Sequence, residues 1–343
     1  MRKKYYAAAN TEKGFVSLFD EIFSEKKFSS LYIIKGGPGT GKSTFMYGIA
    51  SAAEEKGFEA EYYYCSADTD SIDGIIIPAL SVAVIDGTAP HTMDPKYPGS
   101  IGKIINLGEN FDIKKLEENR EKIVYLTDKC SSYYASAVKF LSACGSIMRS
   151  ELDISEKAFD NLKAAKAAKR LLSEYSPSGK GDYSEKYISA VGVRGEKHMD
   201  VNEWGKKTVV ITGKYGFDTL FAGVIAKTAT ELGFSVTRFP NVLLKERTEA
   251  VYISEADTVF IVGEEGEETI NAMRFADREK ISESRGKLRF AEKCIASLME
   301  GALEELYKMG ETHDELERFY ISAMDFQGND DIENKIKKEI FGS

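Results

Sequence analysis

Residues 36–44, GGPGTGKST, combine glycines, a lysine and hydroxyl side chains at the spacing G-x-x-x-x-G-K-[ST]. Those types at that spacing suit the binding of a phosphate chain. Gly36, Gly37, Gly39 and Gly41, with Pro38 and Thr40 between them, let the backbone turn N–H groups inward where side chains would obstruct phosphate oxygens. Lys42 is spaced to reach the β- and γ-phosphates, Ser43 to ligate Mg²⁺ through its hydroxyl, and Thr44 to touch the α-phosphate. A magnesium site needs a second anchor at the end of another buried strand. Asp86 supplies it, after the continuously apolar Val82–Ile85, and is expected to hold the metal through water; the competing reading is an aspartate that opens a turn before Gly87. The residue after Asp86 is Gly87, which offers no carboxylate to activate water. A base would have to come from elsewhere, and Asp68, Asp70, Asp73 and His91 are the candidates, each of which also suits a solvated loop.

The elements that must position these residues are present. Leu31–Ile34 is a short apolar run suited to a buried parallel strand, and Phe45, Met46, Ile49, Ala52 and Ala53 follow at helical spacing. Gly57 stands where a left-handed residue ends the helix, whose N-terminal dipole adds to the anion site.

A second stretch, ITGKYGFDTLF (211–221), has the same outline without the chemistry. Shifted by 176 positions and compared without gaps, 42–88 and 218–264 share Phe45/Phe221, Ile49/Ile225, Ala50/Ala226, Ala53/Ala229, Glu55/Glu231, Gly57/Gly233, Phe58/Phe234, Ile77/Ile253, Ile85/Ile261 and Gly87/Gly263. A fixed register of this kind marks an internal repeat. With one residue missing from the second loop, Gly36 and Gly39 meet Gly213 and Gly216, and AANTEKG (8–14) resembles SAVGVRG (189–195). Packing residues are shared, whereas Lys42 becomes Asp218, Asp86 becomes Val262 and His91 falls opposite Glu267. A carboxylate where a γ-phosphate should sit costs several kcal/mol in a poorly solvated site, so the second copy is not expected to bind ATP-Mg.

Between and after the two units lie helical patterns. Residues 113–148 and 155–175 read as a helical hairpin, SPSGKGDY (176–183) as a linker, and 271–309 and 312–326 as further helices, with Thr312 suited to N-capping. The basic face around Lys163–Arg170 suits an acidic partner or plain solvation, and His313 reads as a surface residue. The chain has 343 residues, a formal charge of −9 and 43% hydrophobic content, enough for two cores. Net negative charge disfavours nucleic-acid coating. Four cysteines without a CxxC pair and three histidines argue against a zinc site or a disulfide framework, and no run reaches membrane-spanning length. A cytoplasmic protein that does not contact membranes is expected, with oligomeric state left open.

The motifs GGPGTGKST and VAVIDG resemble those of the P-loop NTPase superfamily. The run CSADTDSIDGIIIPALSVAVIDGTAPHTMDPKYPG (65–99) and the later HDELERFYISAMDF (313–326) resemble a poorly characterised bacterial and archaeal family of tandem P-loop ATPases. In that family both halves often carry an intact loop, and the second loop here departs from the pattern. The resemblance implies an α/β fold of two tandem units, each a parallel sheet in an α/β/α sandwich followed by a helical segment. The expected divisions are 1–111, 112–183, 184–270 and 271–343. The expected activity is Mg²⁺-dependent ATP hydrolysis in the first half, slow or partner-stimulated, with ATP and ADP as ligands and a protein partner docking on the helices. A phosphotransferase acting on a small molecule or nucleotide and a non-catalytic nucleotide sensor are the alternatives. Arg194, Arg238 and Arg247 are candidates for an arginine reaching across from the second half.

Overall fold

The computed structural model describes residues 3–201 and 204–342. Strand β1 (Lys3–Tyr6), a ribbon of β2 (Ala8–Thr11) and β3 (Gly14–Ser17) and the short α1 (Phe19–Ile22) lead into the first unit. That unit comprises β4 (Ser30–Lys35), α2 (Lys42–Glu55), β5 (Glu61–Tyr64), β6 (Ile72–Ile77), β7 (Val82–Asp86) and β8 (Gly102–Asn106). Helices α3 (Ile113–Glu118), α4 (Arg120–Ala158) and α5 (Asn161–Leu172) follow. The series then recurs as β9 (Tyr183–Glu185), the ribbon β10 (Ser189–Gly192) and β11 (Gly195–His198), β12 (Lys207–Thr212), α6 (Phe217–Glu231), β13 (Val236–Pro240), β14 (Thr248–Ile253), β15 (Thr258–Val262) and β16 (Thr269–Asn271). Helices α7 (Arg278–Ser322) and α8 (Phe326–Phe341) close the chain.

The two six-stranded sheets match strand for strand, in the orders β1-β5-β6-β7-β4-β8 and β9-β13-β14-β15-β12-β16. Both are mixed rather than parallel. In the first, β4 is parallel to β7 and β8 and β1 to β5, but β6 runs antiparallel to β5 and β7. The reason lies in the connections: residues 65–71 and 78–81 join β5 to β6 and β6 to β7, and neither is long enough for the crossover that a parallel pair requires.

Strand alternation sends Tyr32 and Ile34 to one face of the first sheet, where they pack with Phe45, Met46 and Ile49 of α2, and Leu31 and Ile33 to the other. That second face does not meet helices in the manner of an α/β/α sandwich. It joins one apolar layer containing Phe239, Ala250 and Val259 of the second sheet, so the sheets lie inside and the helices α2 and α6 outside. Each large side chain buried there contributes on the order of 2 kcal/mol.

The helices also depart from expectation. The patterns at 113–148 and 155–175 do not form a hairpin: α4 packs along α7 and α5 along α6. With 39 and 45 residues, α4 and α7 reach roughly 60 and 70 Å at 1.5 Å per residue, too far to return a tail to its own sheet. The tails are therefore exchanged. α4 leaves the first unit and delivers α5 to the second, while α7 leaves the second and delivers α8 to α2 of the first. Paired joints fix the exchange: Asp112 N donates to Ala323 O at 2.7 Å and Asp325 N to Asn110 O at 3.0 Å, while Asp160 N donates to Phe275 O and Asp277 N to Ala158 O, both at 2.8 Å. Each of these four aspartates also caps the helix it precedes. Thr312 lies inside the continuous α7 instead of capping a new helix, its hydroxyl donating back to Lys308 O. No helix among the described residues is long and apolar enough to cross a membrane.

Candidate functional site

The expected phosphate-binding residues form one loop between β4 and α2. Gly39 (φ 64°) and Gly41 (φ 80°) take left-handed backbone, and Gly41 caps α2. Gly36, Gly37 and Gly39 are also required by space. A Cβ at Gly36 would stand 2.7 Å from Thr40 Oγ1, one at Gly37 3.1 Å from the Tyr320 ring, and one at Gly39 2.8 Å from Ile321. The Thr40 hydroxyl donates to Gly37 O at 2.9 Å, fixing the turn. Lys42 Nζ folds back over the loop, donating to Gly37 O at 2.8 Å and lying 3.6 Å from Asp86 Oδ2. The hydroxyl of Ser43 donates to Ile72 O and accepts from Ile72 N, both at 3.0 Å, which ties the head of α2 to the start of β6. Thr44 is exposed at the helix head.

Asp86 ends β7, the strand next to β4, and is buried. Its Oδ1 accepts from the amide of Thr88 at 2.9 Å and its hydroxyl at 2.6 Å, so the carboxylate is held while Oδ2 faces Lys42. Asp73 on the antiparallel neighbour β6 and His91 beyond Thr88 converge on the same place, and ligand atoms of Asp73, Asp86 and His91 all lie within 4.8 Å of one another. Burial, with the neighbouring Asp86 charge, pushes the Asp73 pKa up to about 8, against the opposing pull of a hydrogen bond from Cys65 and the charge of Lys42. Burial likewise lowers the pKa of His91, assisted by Lys42 and opposed by Asp86. Asp68 and Asp70 stay on the loop between β5 and β6, ion-paired to Arg194 at 3.1 and 2.9 Å.

The far end of the chain closes over this loop. From α7, Tyr320 and Ile321 press on Gly37 and Gly39, and Glu317 Oε1 accepts the Gly39 N–H at 3.1 Å. From α8, Asn329 Nδ2 donates to Thr40 O at 2.8 Å, and Phe326 packs at Gly41. None of these five was anticipated as a loop neighbour. A signal that could have found the helix joints is the pair of apolar–aspartate dipeptides, 111–112 with 159–160 and 276–277 with 324–325, equally spaced in the two halves.

Against known proteins, the chain finds no match among family models, curated proteins or solved structures.

The second loop takes a different shape. Four residues, 213–216, join β12 to α6, where six, 36–41, join β4 to α2. Gly216 (φ 79°) caps α6 and so takes the part of Gly41 rather than that of Gly39 expected from the alignment. A Cβ at Gly213 would stand 2.8 Å from Asp218 N, so the backbone closes directly on the helix head. Arg247 lies over Gly216 and is ion-paired to Glu151 of α4, with a further bond to Met148 O at 3.3 Å. Asp218 accepts from Thr219 N at 2.8 Å, and burial raises its pKa while that bond and Arg247 lower it. Of the three arginines considered for reaching across, Arg247 serves its own loop and Arg238 binds Glu185 at 2.7 Å within the second sheet. Arg194 touches the first sheet unit through the Asp68–Asp70 loop, whereas Arg247 meets the first half at the end of α4.

Proposed function

We propose that the first half binds ATP-Mg and hydrolyses it slowly or under stimulation by a protein partner, with the second half as a structural and regulatory counterpart. The observation that carries this reading is the convergence of Lys42, Ser43 and Asp86 at one helix head, within a loop where Gly36 and Gly39 leave no room for a Cβ. In this reading the loop amides and Lys42 hold the phosphates, Ser43 ligates Mg²⁺ after releasing Ile72, and Asp86 holds that ion through water. Mg²⁺ would supply charge neutralisation at the β- and γ-phosphates. The Glu317 carboxylate takes a loop N–H that a phosphate oxygen would need, so loading displaces it and pulls on the 45-residue helix that ends at the site. The long α4–α7 pair is the surface proposed for a protein partner, and the setting proposed is cytoplasmic.

Titration calorimetry with ATP-Mg tests this. One site per chain, lost in Lys42→Ala and kept in Asp218→Ala, is expected; two equivalent sites, or undiminished binding in Lys42→Ala, would overturn it. A phosphotransferase reading is favoured by one feature, the absence of an acid after Asp86, where Gly87 is held under Ile34 O. Phosphate release from ATP without an acceptor, abolished in Asp86→Ala, would decide against it.

A further inference from the structure

We propose that Asp73, Asp86 and His91 form a binding site for one borderline divalent transition-metal ion, of the Mn²⁺, Fe²⁺, Co²⁺ and Zn²⁺ class. The three residues come from separate places, the start of β6, the end of β7 and the segment beyond it, yet their ligand atoms lie within 4.8 Å of one another. All three are nine-tenths or more buried, at 6%, 9% and 8% exposure.

The second observation is the imidazole itself. Neither Nδ1 nor Nε2 of His91 has a hydrogen-bond partner. Buried ring nitrogens left unpaired are costly, and a metal ion is the partner that satisfies one of them here. The ring cannot turn away to find another. It is stacked on Phe19 at 4.2 Å between centroids and faces Phe15 at 6.0 Å. Nε2 stands 3.9 Å from Asp73 Oδ1, too far for a hydrogen bond but within the span of two ligands on an ion with bonds of about 2.1 Å. Asp86 is held from behind by the Thr88 amide and hydroxyl, the outer support that orients a metal-ligating carboxylate.

Donor chemistry sets the class of ion. One imidazole nitrogen with two carboxylates favours borderline cations over Mg²⁺, which prefers an all-oxygen shell with several waters. Three protein ligands also leave positions open, on the side where Lys42 lies 3.6 Å from Asp86. In the second half the same register places Glu249, Val262 and Glu267, which keeps a carboxylate opposite Asp73 but loses the Asp86 ligand and the imidazole. The exposed cluster of His313, Asp314 and Glu317 differs, because Glu317 is already committed to Gly39 N.

The ion needs no nucleotide, so the test uses the full chain, stripped with chelator and titrated with Co²⁺ alone. One equivalent is expected to bind with visible d–d absorption, withstand a hundredfold excess of Mg²⁺, and weaken at least tenfold in His91→Asn and in Asp73→Asn. Because these buried variants can fail to fold, the unsubstituted protein gives a second readout. Among its three histidines, the ring protons of His91 should shift first in proton NMR on adding Co²⁺. No uptake at micromolar Co²⁺, displacement by Mg²⁺, or a shift confined to His198 or His313 would overturn the proposal. Lys42→Ala separates the two readings: it should keep Co²⁺ while losing ATP, and loss of ATP binding in the unsubstituted protein with Co²⁺ retained would sink the nucleotide reading alone.

Discussion

At the head of α2 the backbone makes a six-residue detour; at the head of α6 it makes a four-residue one. Each loop sits at the same place in the same sheet order, and each is covered by the arriving end of a long helix from the other half. What differs is the sign of the groups. In the first loop an amide, Gly39 N, faces outward and takes up the carboxylate of Glu317; in the second a carbonyl, Tyr215 O, faces outward and accepts the Ser155 hydroxyl at 2.6 Å. One loop turns an amide to a carboxylate of the arriving helix, whereas the other has closed on itself and covers its helix head with Arg247. The same sheet order therefore accommodates either loop.

That contrast can be broken most severely at Arg247. Its partner Glu151 is only 4% exposed, so Arg247→Ala would leave a buried carboxylate unpaired and cost about 3–5 kcal/mol, read as a lowered midpoint in denaturant. An unchanged midpoint would mean that the second loop has no sealing pair. At the first loop, Lys42→Ala should weaken ATP-Mg by about a hundredfold or more, roughly 3 kcal/mol, with little change in stability. A smaller step sharpens the comparison. Glu317→Gln should tighten ATP binding about three- to tenfold, because a half-exposed negative group no longer competes for Gly39 N; weaker binding would show that Glu317 helps to hold the ligand.

The smallest effect is a pH dependence. Burial raises the folded-state pKa of Asp218 above its ordinary carboxylate value. The stability associated with the protonated form is thus fully present below that ordinary value and is lost as pH rises through the raised one. Asp218→Asn should accordingly be neutral in acid and become stabilising, by under about 1 kcal/mol, as pH rises. A gain that shrinks with rising pH would show that Arg247 dominates.

Much of the site was readable because its parts are local. The glycine spacing, the helix after it and Asp86 at the end of an apolar strand all lie within short windows, and the repeat register exposed Asp218 and Val262 as the replaced positions. The mixed sheet was not read, although the short 65–71 and 78–81 connections already excluded parallel neighbours. Asp73 and His91 were legible as candidates but not as a pair with Asp86, since antiparallel pairing of β6 with β7 is what brings them together. Arg247 was one of three candidates for reaching across, because the sequence carries no sign of which side of β14 its loop folds over.

By itself, then, the sequence determined the local units: two strand–loop–helix repeats, one carrying the G-x-x-x-x-G-K-[ST] spacing and one without its lysine, separated by long helices. Tertiary structure alone decided which helix covers which loop. Periodicity specifies that a helix has an apolar face but not what that face meets, and only the combined length of α4 and α7 with the four aspartate joints carries Glu317 and Asn329 to the first loop and Glu151 to the second.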